Sequence, residues 1–129
     1  MSKVTRVLIV DDEDRFGGMV KINLERTGRY EVRVETRGRH CVETAKEFNP
    51  DLILLDIIMP DITGYDVAKA LRHENDLRNK PLIFLTALSE EETSFHTEKT
   101  PDVIVLTKPI ASQDLAARID QKIKEAEAL

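Results

Sequence analysis

Apolar residues along the chain follow two rhythms. Five short runs are continuous or alternate every second residue: Val4 to Val10, Tyr30 to Thr36, Leu52 to Leu55, Leu82 to Thr86 and Val103 to Leu106. These read as strands. Between them the apolar residues recur at helical spacing. Phe16, Met19, Val20 and Leu24 mark a first helix that stops at Gly28. A second opens at Gly38, runs through Cys41, Ala45 and Phe48, and closes at Asn49-Pro50. Val67, Ala70 and Leu71 mark a third from about Tyr65 to Glu74. Ser89 followed by three glutamates resembles a capped start for a fourth, although Thr93 to Thr100 is poor helix sequence. Leu115, Ile119 and Ile123 give a last amphipathic helix. Five alternations of strand and helix call for an open, doubly wound parallel sheet with helices on both faces.

The runs differ in a way that places them in that sheet. Leu52 to Leu55 has no polar face, as expected of a central strand covered on both sides, whereas Tyr30 to Thr36 alternates apolar with charged residues, as an edge strand with one wet face does. The central run ends at a single carboxylate, Asp56. In open parallel sheets ligand chemistry gathers beyond the carboxyl ends of the strands. The other runs deliver Asp11 and Asp12, Thr86, and Lys108 to the same edge. Adjacent strands lie about 4.8 Å apart, so the carboxylates of the first and third strands fall around one point.

Two features of the first helix admit more than one reading. Asp11, Asp12, Glu13 and Asp14 suit a helix start, where acids cap free N–H groups and favour the positive end of the dipole. Gly17 and Gly18 inside the helix cost about 1 kcal/mol each against alanine. They are read first as loosening its early turns, and second as allowing a partner's backbone to approach closely.

Composition narrows the function. The chain has 129 residues and reads as one domain, 1–129. Its net charge of -5 is spread without a basic block, which argues against direct nucleic-acid binding. Nothing approaches the apolar length of a membrane span and the start is not a signal peptide, so a cytoplasmic location is expected. The one cysteine, Cys41, excludes an internal disulfide and is expected to be a buried apolar residue. Three clustered carboxylates and one lysine leave a formal charge of about -2, which a divalent cation brings to zero. All-oxygen ligands suit Mg2+. Carboxylates, magnesium, a hydroxyl and a lysine are the parts for moving a phosphoryl group, and with no serine or cysteine nucleophile among them Asp56 itself would be the acceptor.

VDDE at Val10 to Glu13, DLILLDIIMPDITGYD at Asp51 to Asp66, LTA at Leu85 to Ala87 and TKP at Thr107 to Pro109 stand at the spacings of one family. From end to end the chain resembles the receiver domain of bacterial two-component response regulators. The resemblance implies a flavodoxin-like strand order 2-1-3-4-5. It implies that Asp56 is phosphorylated by a sensor histidine kinase or histidine phosphotransfer protein, and that the domain catalyses only its own phosphorylation and dephosphorylation. Asp12 and Asp56 would bind magnesium directly, Asp11 mostly through water, and the backbone carbonyl of Ile58 would complete the protein ligands. Thr86, the amide of Ala87 and Lys108 would hold the phosphate, with Lys108-Pro109 a cis peptide. The output partner would read the face of the fourth helix and fifth strand, and a phosphorylation-dependent homodimer is among the assemblies implied. Ile58 and Leu88 would flank the path of the water that attacks the phosphoryl group.

The chain departs from the family at Val105, where a tyrosine or phenylalanine is usual, so the coupled aromatic switch cannot operate in its usual form. His40, His73 and His96 match no family role and are expected to face solvent. Two other readings remain: a receiver cut from a longer DNA-binding regulator or hybrid histidine kinase, and a haloacid dehalogenase-like phosphatase. The latter needs an aspartate where this chain has Ile58.

Overall fold

The computed structural model describes residues 3–87 and 104–128. Five parallel strands form one sheet in the order β2-β1-β3-β4-β5. They are β1 (Thr5–Val10), β2 (Tyr30–Glu35), β3 (Leu52–Leu55), β4 (Leu82–Thr86) and β5 (Ile104–Thr107). All of β3 and β4 is buried, while β2 alternates as an edge strand should. Helix α1 (Asp14–Glu25) and the C-terminal helix (Ser112–Glu127) cover one face, where Val7, Ile9, Leu52 and Leu54 pack with Leu24 and Ile119. Helices α2 (Cys41–Phe48) and α3 (Gly64–Arg72) cover the other, where Leu8, Val10, Ile53 and Leu55 meet Phe48 and Leu71. The two apolar layers hold the sheet rigid, so the residues just beyond its strand ends are fixed in space.

Several expectations are corrected in detail. The acids after β1 do mark the helix start, with Glu13 at the N-cap position and Asp14 in the first turn, but Glu13 makes no side-chain capping hydrogen bond. Asp11 instead continues the ladder, its N–H donating to the Glu35 carbonyl at 3.0 Å, while its Oδ1 accepts the Glu13 N–H at 2.9 Å. Met19, placed by periodicity on the apolar stripe, is 53% exposed; Gly17, Val20 and Leu24 form the buried side. Gly17 is therefore no loosener. A Cβ there would meet Val34 Cγ1 at 2.7 Å, so it lets α1 sit close on β2, against a side chain rather than a backbone. Gly18 has open space around it. α1 ends at Glu25, before the turn to Gly28 (φ 78). α2 is preceded by a turn of 3₁₀ helix at Gly38–His40.

Helix α3 starts at Gly64 rather than Tyr65 and ends at Arg72 rather than Glu74. Thr63 caps it by accepting the Asp66 N–H at 3.2 Å. Cys41 is fully buried, and His40 and His73 are exposed. His96, Val103 and the fourth helical segment after Ser89 lie outside the described residues. No helix among the described residues is long and apolar enough to cross a membrane.

Candidate functional site

A cleft of about 290 Å³ opens at the carboxyl end of the sheet, with Asp12, Glu13 and Asp56 on one side and Ile58, Thr86, Ala87 and Lys108 on the other. Each side chain arrives from the end of a strand. Asp56 follows β3 directly, and its N–H donates to the Val10 carbonyl at 2.9 Å, which ties it to the end of β1. Thr86 closes β4, and its carbonyl accepts the Lys108 N–H at 2.7 Å. The Lys108-Pro109 peptide is cis. Wider grooves exist, such as one of about 520 Å³ between α1 and the C-terminal helix, but among the described residues the gathered carboxylates are here.

The electrostatics of the cleft are uneven. Asp11, Asp12 and Asp56 each offer an oxygen within 4.8 Å of the others, with Asp11 and Asp56 buried and Asp12 exposed. Lys108 Nζ lies 2.7 Å from Asp11 Oδ2, 3.3 Å from Glu13 Oε1 and 3.8 Å from Asp56 Oδ2. One ammonium thus serves three acids and sits closest to Asp11. Burial, and then the charge of Asp11, push the Asp56 carboxyl up to about 6; Lys108 and the Ile58 amide offset this only in part. Burial pulls the Lys108 ammonium down, but the hydrogen bond and charge of Asp11, with Asp56 and Glu13, outweigh it and its pKa is raised.

The loop carrying Ile58 is held tightly. The Gly64 N–H donates to the Ile57 carbonyl at 2.7 Å, and a Cβ on Gly64 would collide with the carbonyl oxygen of Asp56. Only glycine lets α3 begin so close beneath the end of β3. Farther along, Asp61 Oδ2 accepts the Arg39 N–H at 3.0 Å. Ile58 itself is 57% exposed at the mouth of the cleft.

Residues 7–120 match the family described as response regulator receiver domain. The chain belongs to that family. Among curated relatives, this receiver domain is 30% identical over 124 residues to the DNA-binding dual master transcriptional regulator RpaA of Synechocystis, covering 96% of this chain and 51% of RpaA. It is 31% identical over 122 residues to the alkaline phosphatase synthesis transcriptional regulatory protein PhoP of Bacillus subtilis, covering 95% and 50%. The chain spans about half the length of these curated relatives. Among solved structures, a CheY-like receiver domain protein from Methanospirillum hungatei superposes with TM-score 0.85 at 25% identity, covering 98% of each chain. The chemotaxis protein CheY4 of Vibrio cholerae follows at TM-score 0.83 and 28% identity, covering 93% of this chain and 99% of that one.

All of the strand-end residues singled out from sequence line this cleft, apart from Asp11, which faces it through Lys108. Leu88 lies outside the described residues. Two neighbours of Lys108 escaped the sequence reading. Glu13 was taken for a helix-start acid. Phe16 was taken for a core position, yet Lys108 Nζ sits 4.3 Å from its ring centroid. A lysine's partners across strand ends leave no mark in a local pattern. Val105 lies opposite Phe84 in the β4–β5 register and packs against the core layer that contains it; the Phe84 ring in turn meets Tyr65 edge to face at 5.2 Å.

Proposed function

We propose that Asp56 accepts a phosphoryl group from the phosphohistidine of a sensor histidine kinase or histidine phosphotransfer protein. The observation that carries this is the position of Asp56: it ends the central buried strand inside the cleft, 3.8 Å from Lys108, with its carboxylate only partly compensated. In the transfer the P–N bond to the donor histidine breaks as a P–O bond to an Asp56 oxygen forms. Lys108 would follow the new charge, and the Thr86 hydroxyl and Ala87 amide would hold the other phosphoryl oxygens.

The donor set fits magnesium, being all oxygen and gathered within 4.8 Å. Asp12 and Asp56 would hold the ion directly, Asp11 through water and Ile58 through its backbone carbonyl. When bound, it supplies the positive charge that lets three carboxylates and a phosphoryl group share one site. Phosphorylation places about two negative charges at Asp56 and would draw Thr86 and Lys108 toward it, shifting a two-state equilibrium. With Val105 in the aromatic's usual place, that shift would reach the output face beside β5 through packing against Phe84 rather than through a swinging ring. We read residues 1–129 as one such cytoplasmic receiver unit, which catalyses only the gain and loss of its own phosphoryl group. The half-length coverage of RpaA and PhoP supports its being a module of a longer regulator, whose output domain and any homodimer would act beyond this chain.

The test is labelling with acetyl phosphate and magnesium, or binding of beryllofluoride. Wild type should react and Asp56→Asn should not; equal labelling of the variant would remove Asp56 as acceptor. Sustained turnover of phosphomonoesters would favour a phosphatase instead.

The lifetime of phospho-Asp56 provides a second check. Ile58 at the cleft mouth cannot orient an attacking water, and Leu88 is read as acting with it, so reset should be slow without a partner. A polar group that recovers about 1.4 kcal/mol of orientation would speed decay about tenfold. Ile58→Asn, Leu88→Glu and the double variant should lose the phosphoryl group faster, and decay at the wild-type rate in all three would end this reading.

A further inference from the structure

The outer edge of β2 carries a device that takes no part in the acidic cleft. The carbonyls of Arg29 and Glu35 accept the amides of Thr5, at the start of β1, and of Asp11, just past its end. Alternate residues of a strand face opposite neighbours, so Tyr30, Val32 and Val34 turn their backbone groups toward the open edge. At Val32, the middle of that edge, both groups are taken. Glu25 Oε2 accepts its N–H at 2.9 Å, and Lys21 Nζ donates to its carbonyl at 2.6 Å. The two side chains come from successive turns of α1 and pair with each other at 3.3 Å.

An open strand edge is a template for another strand, and this one complements itself. In an antiparallel pairing of two copies with Val32 opposite Val32, Glu31 faces Arg33, Arg29 faces Glu35 and Tyr30 faces Val34. Opposite charges and an aromatic with a β-branched residue are favourable cross-strand pairs. The hydrogen-bonded centre of that pairing needs the N–H and carbonyl of Val32, the two groups that Glu25 and Lys21 occupy. The charges have exposed partners of their own, Arg6 for Glu31 at 3.7 Å and Glu47 for Arg33 at 3.5 Å. Surface pairs of that kind exchange at little cost.

We propose that the Lys21–Glu25 pair is a guard that closes the β2 edge to a second copy of this chain, and that opening it yields a dimer through antiparallel β2 strands centred on Val32. This inference is independent of how Asp56 is used. The guard is local, and its two side chains are half-buried at the rim of the sheet rather than in either core layer, so substituting them tests it without emptying the core.

The experiment is sedimentation velocity of wild type, Lys21→Ala with Glu25→Ala, the same double variant with Arg33→Glu added, and that triple variant with Glu31→Arg added. Wild type should be monomeric and the double variant dimeric. Arg33→Glu, which sets like charges opposite each other, should return it to monomer, and the swapped charges should restore the dimer. The Val32 amide should exchange with deuterium faster in the monomeric variant with the guard removed than in wild type. A double variant that stays monomeric, a dimer indifferent to Arg33→Glu, or a wild type that already forms the Arg33-dependent dimer would each overturn the proposal.

Discussion

Asp56 and Glu25 are both carboxylates set against the sheet, and the fold treats them in opposite ways. The Val32 N–H, together with the ammonium of Lys21, holds Glu25 below the ordinary carboxylate range despite some burial. Asp56 is buried beside Asp11, shares its one lysine with two other acids, and is pushed up to about 6. A carboxylate that serves the fold receives donors matched to its charge. One left short of them beyond the end of a strand marks the place where a ligand has to complete the balance. The price of that incompleteness is stability, and the metal-free domain should show it.

The largest effect expected from this contrast is at Asp56. The folded carboxyl keeps its proton up to about pH 6, whereas an ordinary aspartate, titrating at 3.8 in the unfolded chain, has already lost it. The folded state therefore binds the extra proton between those values, and its stability falls as pH rises through the window. Asp56→Asn should remove that slope and, at pH 8 without metal, stabilise the fold by between about 1 and 3 kcal/mol. Denaturant unfolding of both proteins between pH 4 and pH 8 measures it. Parallel curves for wild type and variant would place the strain elsewhere.

A smaller effect of opposite sign is expected at Glu25. Its lowered pKa makes the carboxylate stabilising above about 4.5, the ordinary glutamate value, and that contribution should fade as pH falls through the folded value. Glu25→Gln should cost up to about 1 kcal/mol at pH 7, since an amide oxygen still accepts the Val32 N–H but no longer pairs with Lys21. A variant more stable than wild type at pH 7 would break the contrast between the two acids.

Much of this contrast was legible in the chain. The unbroken apolar run of β3 ending at Asp56 predicted both the central strand and the strand-end carboxylate, because burial on two faces leaves a plain one-dimensional signature. The alternation of β2 likewise predicted an edge. The strand order came by resemblance, since local patterns do not say which strands are neighbours. What the chain did not disclose depends on contacts across it. Gly17 looked like a weak point in a helix until Val34 was found against it. Asp11 could be read as a helix-start acid or as a strand-end carboxylate, and only the contacts decide between them: its amide belongs to the sheet ladder and its carboxylate meets Lys108. Lys21 and Glu25 stand four residues apart on α1, and nothing in that spacing reveals that a strand edge lies beneath them.

The central claim is that the acidic cleft is left under-compensated so that a cation and a phosphoryl group can complete it. Its most direct test is a pair of melting curves at pH 8, with and without millimolar magnesium, for wild type and Asp56→Asn. An ion that binds only the folded state at tenfold over its Kd stabilises by about 1.4 kcal/mol. The account predicts a clear rise in Tm for wild type with magnesium, and a variant that starts higher without metal and gains little from it. A wild-type midpoint indifferent to magnesium, or an equal gain in both proteins, would contradict it.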